Sequence, residues 1–204
     1  MTTRARSAAV KRATRETAIA VDWKLDGSGQ GNVKTGIPFL DHMLSLLAKH
    51  GLFDLTVRAK GDLEIDVHHT NEDVGIALGQ AFAKAVGDKA GIARFGWAYV
   101  PMEEALARAV VDLSGRPLLK ITYPEADNAS LQLASGGNYT LHDAEHFLES
   151  FVRESRITLH VTVLAGKDFH HTWEAVFKAL GRALDSATQL DRRVRGIPST
   201  KGRL

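Results

Sequence analysis

Four of the nine histidines in this chain stand in two adjacent pairs, and each pair opens the same kind of block. His68-His69-Thr70-Asn71-Glu72 recurs as His170-His171-Thr172-Trp173-Glu174, each leading into a stretch with helical periodicity. On a helix, residues four apart share a face, with Cβ atoms about 5–6 Å apart. His68 with Glu72, and His170 with Glu174, can therefore meet one ion. The second histidine of each pair projects roughly 100° away, so adjacent imidazoles divide between two ions. A further histidine precedes each block, His42 in Asp41-His42-Met43 and His146 in Glu145-His146-Phe147, at intervals of 26 and 24 residues. The expected sets are His42, His68, Glu72 and His171 for one ion, and His69, His146, His170 and Glu174 for the other. Ligands of each set then come from the other half or from another subunit.

The chain has no cysteine, which removes disulfides, thiolate zinc sites and cysteine nucleophiles together. Nitrogen and oxygen ligands without sulfur suit manganese, iron or cobalt. Three imidazoles and a carboxylate in a six-coordinate sphere leave positions open for substrate, whereas a closed tetrahedral zinc site leaves none. A carboxylate-bridged di-iron bundle uses Glu-x-x-His, the reverse of the order here. Two rivals remain at this point: a metal-dependent hydrolase with the same ligands, and a non-catalytic metal-storage protein. Taken alone, Glu72 and Glu174 are also explained as first-turn acids favoured by the helix dipole. His50, His142 and His160 have no repeat partner in a ligand pattern and are read as structural.

Candidate anion-binding groups are scattered. Arg94 lies in Gly91-Ile92-Ala93-Arg94-Phe95-Gly96, Arg116 in the turn Ser114-Gly115-Arg116-Pro117, and Lys178 one helical turn after Glu174. Ser199 and Lys201 lie in the tail Pro198-Ser199-Thr200-Lys201-Gly202. Guanidinium forks, ammoniums and a hydroxyl are the groups that bind phosphate. Periodicity alone does not bring them together.

The elements that must position these residues follow from pattern. Thr17, Ile19, Val21, Trp23 and Leu25 alternate as a half-buried strand. Asp26 to Gly31 reads as a turn forming a hairpin with Asn32–Thr35. Pro38 opens a helix with Leu40, Met43, Leu44 and Leu47 on one face, ended by Gly51. Leu55, Val57 and Ala59 make a strand, Leu63, Ile65 and Val67 another, and a helix runs from about Asn71 to Val86. Strands are expected at 95–100, 105–113 and 118–123, and a loop at 124–139. Helix 143–155, strand 157–164 and helix 171–187 complete the second copy. Helix, strand, turn, histidine block and helix thus appear twice, within one folded unit whose halves are 1–95 and 96–204. The class is α+β, each half a small mixed sheet with two helices on one face.

With 204 residues, 44% of them hydrophobic, the chain can build a real core. A net charge of +2 does not point to nucleic acid. No apolar run approaches the ~18 residues of a membrane helix. The basic stretch from Met1 to Arg15 reads as a solvated lead-in rather than a transit peptide, making the cytoplasm the default location.

Across nearly its whole length the chain resembles imidazoleglycerol-phosphate dehydratase, an enzyme family of histidine biosynthesis. The matching segments are Arg12-Ala13-Thr14-Arg15-Glu16-Thr17, Gly36 to Leu44, Gly61 to Asp73, Arg94-Phe95-Gly96, Leu113 to Pro117, Glu145-His146-Phe147, His170 to Leu180 and Pro198 to Gly202. The resemblance implies a ribosomal protein S5 domain 2-like fold, with helices sandwiched between two sheets. It implies two Mn2+ ions per active site, placed between subunits of an assembly of 24 chains built from trimers. It also implies a hydro-lyase that converts imidazole glycerol phosphate to imidazole acetol phosphate and water, by way of a metal-stabilised imidazolate and a diazafulvene-like species. The eight ligands carry over, and Arg94, Arg116, Lys178, Ser199 and Lys201 would meet the phosphate. Glu16 matches a substrate-contacting glutamate, and with Glu72 and Glu174 it forms the expected catalytic set. Val67 stands where aspartate is common and Asn71 where an aliphatic residue is common. The stretch 121–139 is longer than usual, and the absence of a phosphatase segment implies the single-function form.

Overall fold

The computed structural model describes residues 6–124 and 135–204. Most of the loop expected at 124–139 lies outside the described residues.

The first half comprises β1 (Ser7–Ala13), β2 (Thr17–Lys24), β3 (Gly31–Lys34), α1 (Pro38–His50), β4 (Asp54–Gly61) and α2 (His68–Val86). The second comprises β5 (Phe95–Met102), β6 (Ala105–Asp112), β7 (Leu118–Thr122), the short pair β8 (Ser135–Gly136) and β9 (Tyr139–Thr140), α3 (Leu141–Ser155), β10 (Thr158–Ala165) and α4 (Phe169–Thr188). Sheet orders are β1-β2-β4-β3 and β5-β6-β10-β7, with β8-β9 apart. Matching α1 to α3, β4 to β10 and α2 to α4 makes the two four-stranded sheets identical in topology. Each carries one parallel edge pair, β3 with β4 and β7 with β10. The fold is α+β and consists of duplicated half-domains.

Three expectations are corrected. The basic lead-in contains a strand, β1, paired along its length with β2. Only Val10 of β1 is buried, and such an edge strand, with Lys11 and Arg12 within it, carries little apolar signal. The expected hairpin between Thr17–Leu25 and Asn32–Thr35 does not form, because β4 inserts between β2 and β3. No strand forms at Leu63–Val67. Ile65 donates its backbone N–H to Asp62 and lies 69% exposed, and Asp66 Oδ1 accepts from the backbone of His68 at 2.8 Å. That local acceptor starts α2 at His68, ahead of the expected Asn71.

The helices pack on each other across the two halves. Gly75 and Gly79 bring α2 against α3 so closely that a Cβ at Gly79 would stand 2.6 Å from the Phe151 carbonyl oxygen. On the other side, a Cβ at Gly181 of α4 would stand 2.6 Å from the Leu47 carbonyl oxygen of α1. Inside the layer Trp23 contacts Phe53, Phe82 and Phe151 at ring-centroid distances of 5.3–6.1 Å. Burying each such aromatic contributes about 1.5–3 kcal/mol. The helix pairs α1/α4 and α2/α3 are each parallel, so their histidine-bearing first turns end up side by side.

Candidate metal centre

Two triads result. Nitrogen and oxygen ligand atoms of His42, His170 and Glu174 lie within 4.8 Å of one another, as do those of His68, Glu72 and His146. Each combines the His-x-x-x-Glu step of one half with the upstream histidine of the other. This corrects the expected division, which joined His42 to His68, Glu72 and His171, and His146 to His69, His170 and Glu174. Helix pairing is set by the glycine contacts, and these place α1 on α4 and α2 on α3.

In the first triad His42 Nε2 and His170 Nε2 donate to the same oxygen, Glu174 Oε1, at 2.9 and 3.0 Å. Lys178 Nζ holds Oε2 of the same carboxylate and lies 3.3 Å from Met102 Sδ. Burial pushes the Glu174 carboxyl up, but Lys178, His42 and His170 outweigh it and hold it down at about 2. In the second triad the His68 and His146 rings stack at 4.6 Å, and among the described residues Glu72 has only a 3.4 Å contact from Arg153. Its carboxylate is 32% exposed against 9% for Glu174.

The donor set fits a divalent cation. Imidazoles and a carboxylate point at one another in both triads, and His146 Nδ1 is buried with no hydrogen-bond partner among the described residues. A common ion satisfies such a cluster better than protons shared between its members.

His69 and His171 belong to neither triad. His69 Nδ1 meets Asp62 Oδ2 at 2.9 Å, and His171 Nδ1 meets Glu104 Oε2 at 2.8 Å. These carboxylates raise both imidazole pKa values above the usual range. Glu104 is held at about 2, first by the Asp168 backbone N–H and then by His171. A carboxylate on Nδ1 fixes ring orientation and tautomer and leaves Nε2 as the ligand atom. Asp62 and Glu104 were not singled out from the sequence. Asp62 lies within the matched Gly61–Asp73 segment, but Glu104, in the β5–β6 turn, carries no sequence signal.

The matched threonines also have a structural role. Thr70 and Thr172 are buried, each against the glycine at the end of a strand, Gly61 closing β4 and Gly166 just after β10. Cβ atoms at Gly61 and Gly166 would come within 2.0 and 2.4 Å of their hydroxyls. Arg12 binds buried Asp73 at 2.8 Å, and Thr17 donates to the same carboxylate, which anchors the β1–β2 turn over α2. That turn carries Glu16, whose carboxylate is 55% exposed and 3.8 Å from His69 Nδ1.

The anion-binding candidates separate into two places. Arg94 binds Asp112 through Nε and Nη2 at 2.7 and 3.1 Å, and donates from Nη1 to the Pro198 carbonyl at 2.8 Å. The tail is thereby fastened at Pro198, the residue before Ser199, and the Lys201 backbone N–H donates to Ser199 Oγ at 3.2 Å. A Cβ at Gly115, next to exposed Arg116, would sit 2.7 Å from Leu204. Arg94's own backbone N–H donates to Ala187, at the far end of α4. From Glu174 to Ala187 the helix rises about 20 Å. Lys178 stays with the Glu174 triad. Within one chain, the triad and the tail group therefore lie too far apart to hold both ends of one small substrate.

Comparison with known proteins agrees with the site. Residues 35–184 match the family model for imidazoleglycerol-phosphate dehydratase. The chain belongs to that family. It is 58% identical over 197 residues to the imidazoleglycerol-phosphate dehydratase of Thermoanaerobacter pseudethanolicus, covering 97% of this chain and 98% of that one. The Corynebacterium jeikeium enzyme of the same name is 53% identical over 195 residues, covering 95% and 94%. Among solved structures, the Staphylococcus aureus dehydratase is similar with a TM-score of 0.78 and 34% identity, covering 91% of this chain and 99% of that one. The Pyrococcus furiosus dehydratase, in complex with (S)-C348, gives 0.80 and 35%, covering 96% and 100%. The family is one of histidine-biosynthesis dehydratases. Among the described residues of this chain, no helix is long and apolar enough to cross a membrane.

Proposed function

We propose that this enzyme converts imidazole glycerol phosphate to imidazole acetol phosphate and water in histidine biosynthesis, with two Mn2+ ions per active site. The observation that carries the reading is the pair of equivalent His-His-Glu triads in a member of this family. His42, His170 and Glu174 hold one ion, and His68, Glu72 and His146 the other. His69 and His171, oriented by Asp62 and Glu104 with Nε2 free, supply the fourth ligand of each from neighbouring subunits.

Ions held by these residues would supply Lewis-acid polarisation of the substrate's imidazole and hydroxyl, easing loss of the carbon-bound proton and of the hydroxyl. The remaining steps belong to the side chains. Glu16 takes the carbon proton as general base, being exposed, beside His69 and without a hydrogen-bond donor on its carboxylate among the described residues. Lys178 meets the phosphate from the triad side, and Arg94, Arg116, Ser199 and Lys201 meet it from another chain. Guanidinium and ammonium donors fix the phosphate and hence the position of the reacting carbon.

The 20 Å separation within one chain supports an active site made between subunits, and the reading takes the assembly to be 24 chains built from trimers. The halves meet near residues 95 and 96, and the enzyme works in the cytoplasm. Ultraviolet absorbance of imidazole acetol phosphate tests the activity in Mn2+-loaded and chelator-stripped protein. Turnover restored by Mn2+ is expected. Phosphate release without the absorbing ketone would favour the hydrolase instead.

A further inference from the structure

Between the two triads lies a buried residue that no metal chemistry requires. Tyr139, at the end of the β8–β9 hairpin, is fully buried. Its hydroxyl donates to Asn71 Oδ1 at 2.8 Å and approaches the Asp143 carbonyl at 3.3 Å. Asn71 Nδ2 donates to that same carbonyl at 2.8 Å, and Asn71 is itself fully buried. Asn71 immediately precedes Glu72 on α2, and Asp143 lies in the first turn of α3 that leads to His146. The three groups bridge the two helices whose ends carry the second triad. On its other side the Tyr139 ring packs against Phe39 at 5.3 Å, and Phe39 presents its face or edge to His170 at 5.5 Å and 83°. Burial holds the phenol protonated, so it remains a donor. At the equivalent of Asn71 the second half has Trp173, which has no side-chain amide, so this polar bridge serves only one triad.

Resting on the metal reading above, we propose that Tyr139 is a positioning residue for both ion sites. Its hydroxyl sets the spacing of α2 and α3 at the His68–Glu72–His146 site, and its ring supports His170 through Phe39 at the other. Buried, fully paired polar groups fix one geometry where an apolar contact would tolerate several. The consequence is an asymmetry between hydroxyl and ring. Removing the hydroxyl perturbs one ion site, whereas removing the ring perturbs both.

Mn2+ titration of the metal-free, assembled enzyme by calorimetry and electron paramagnetic resonance tests this. Wild type is expected to bind in two resolvable steps. Tyr139→Phe should weaken one step by roughly tenfold, the range seen for outer partners of metal ligands, and leave the other unchanged. Tyr139→Leu should weaken both. Asn71→Leu removes the same bridge from the opposite side and should reproduce the Tyr139→Phe pattern, which covers the case of poor folding in either variant. Two steps unchanged in Tyr139→Phe, or both weakened equally, would overturn this inference alone. Wild-type protein that binds no Mn2+ would overturn the metal reading and this inference with it.

Discussion

The two halves of the molecule share topology, helix pairing and ligand types, yet their carboxylates are treated differently. Glu174 is buried, clamped by Lys178 and held at about 2. Glu72, its counterpart, is more exposed and among the described residues has only the 3.4 Å contact from Arg153. The residue equivalent to Lys178 is Ile76, one turn after Glu72. A second contrast lies at the hairpin turns. In the second half Glu104 binds His171 directly. In the first half Asp62 takes that place on His69, and Glu16 stands 3.8 Å off. With Asp62 on His69, the turn glutamate of the first half makes no such close pair among the described residues, which under the proposed function leaves it for proton transfer.

The largest expected effect is at Glu174. Glu174→Gln removes a proposed ligand and leaves half-buried Lys178 without its carboxylate partner, a loss that breaking a largely desolvated pair makes severe. It should lower Mn2+ affinity by at least about 100-fold, more than Glu72→Gln does, as read by calorimetry. Equal losses would erase the contrast between the triads.

Next comes the turn glutamate pair. Glu16→Gln should lower kcat by roughly 10²–10⁴ with metal content retained. Glu104→Gln should instead lower metal affinity about 10–100-fold, with turnover recovering at high Mn2+. Metal loss in Glu16→Gln, or wild-type turnover in that variant, would mean the two glutamates have not diverged in role.

Smaller still is the effect of pH on the metal-free protein. His171 has its pKa raised by Glu104. Its stabilising contribution is therefore complete below the ordinary imidazole value near 6.5 and is lost as pH rises through the higher folded value. Proton NMR should place the His171 midpoint above that ordinary value, and Glu104→Gln should return it downward. An unshifted wild-type midpoint would remove the pair. Last, Gly79→Ala forces a methyl against α3 backbone and should cost about 1–3 kcal/mol in denaturant unfolding. Gly87→Ala meets no atom within 4 Å, so its cost should come only from its positive φ.

Much of this was legible in residue order. The histidines and glutamates that the fold gathers into two triads were all marked by the repeated block and its upstream histidines, and α1 followed from Pro38, its apolar face and Gly51. Which helix meets which did not follow, because it depends on close backbone approaches at Gly75, Gly79 and Gly181, which lie outside the repeated block. Within one chain the ligand types therefore gather in a different division from the expected sets. The edge strand β1 was hidden because a strand with a single buried residue has almost no alternation to detect. Asp62 and Glu104 act only through contacts made in the fold. Tyr139 escaped because its partner Asn71 looked merely like a departure from an aliphatic position.

The central claim is that two equivalent triads each hold one ion and are completed by His69 and His171 of neighbouring chains. A crystal structure of the Mn2+-loaded assembly, with anomalous data at the manganese edge, tests it most directly. The account predicts two peaks per chain, one among His42, His170 and Glu174 and one among His68, Glu72 and His146. A His69 or His171 Nε2 from a neighbouring chain should complete each. A single peak, or ions whose four protein ligands all come from one chain, would contradict it.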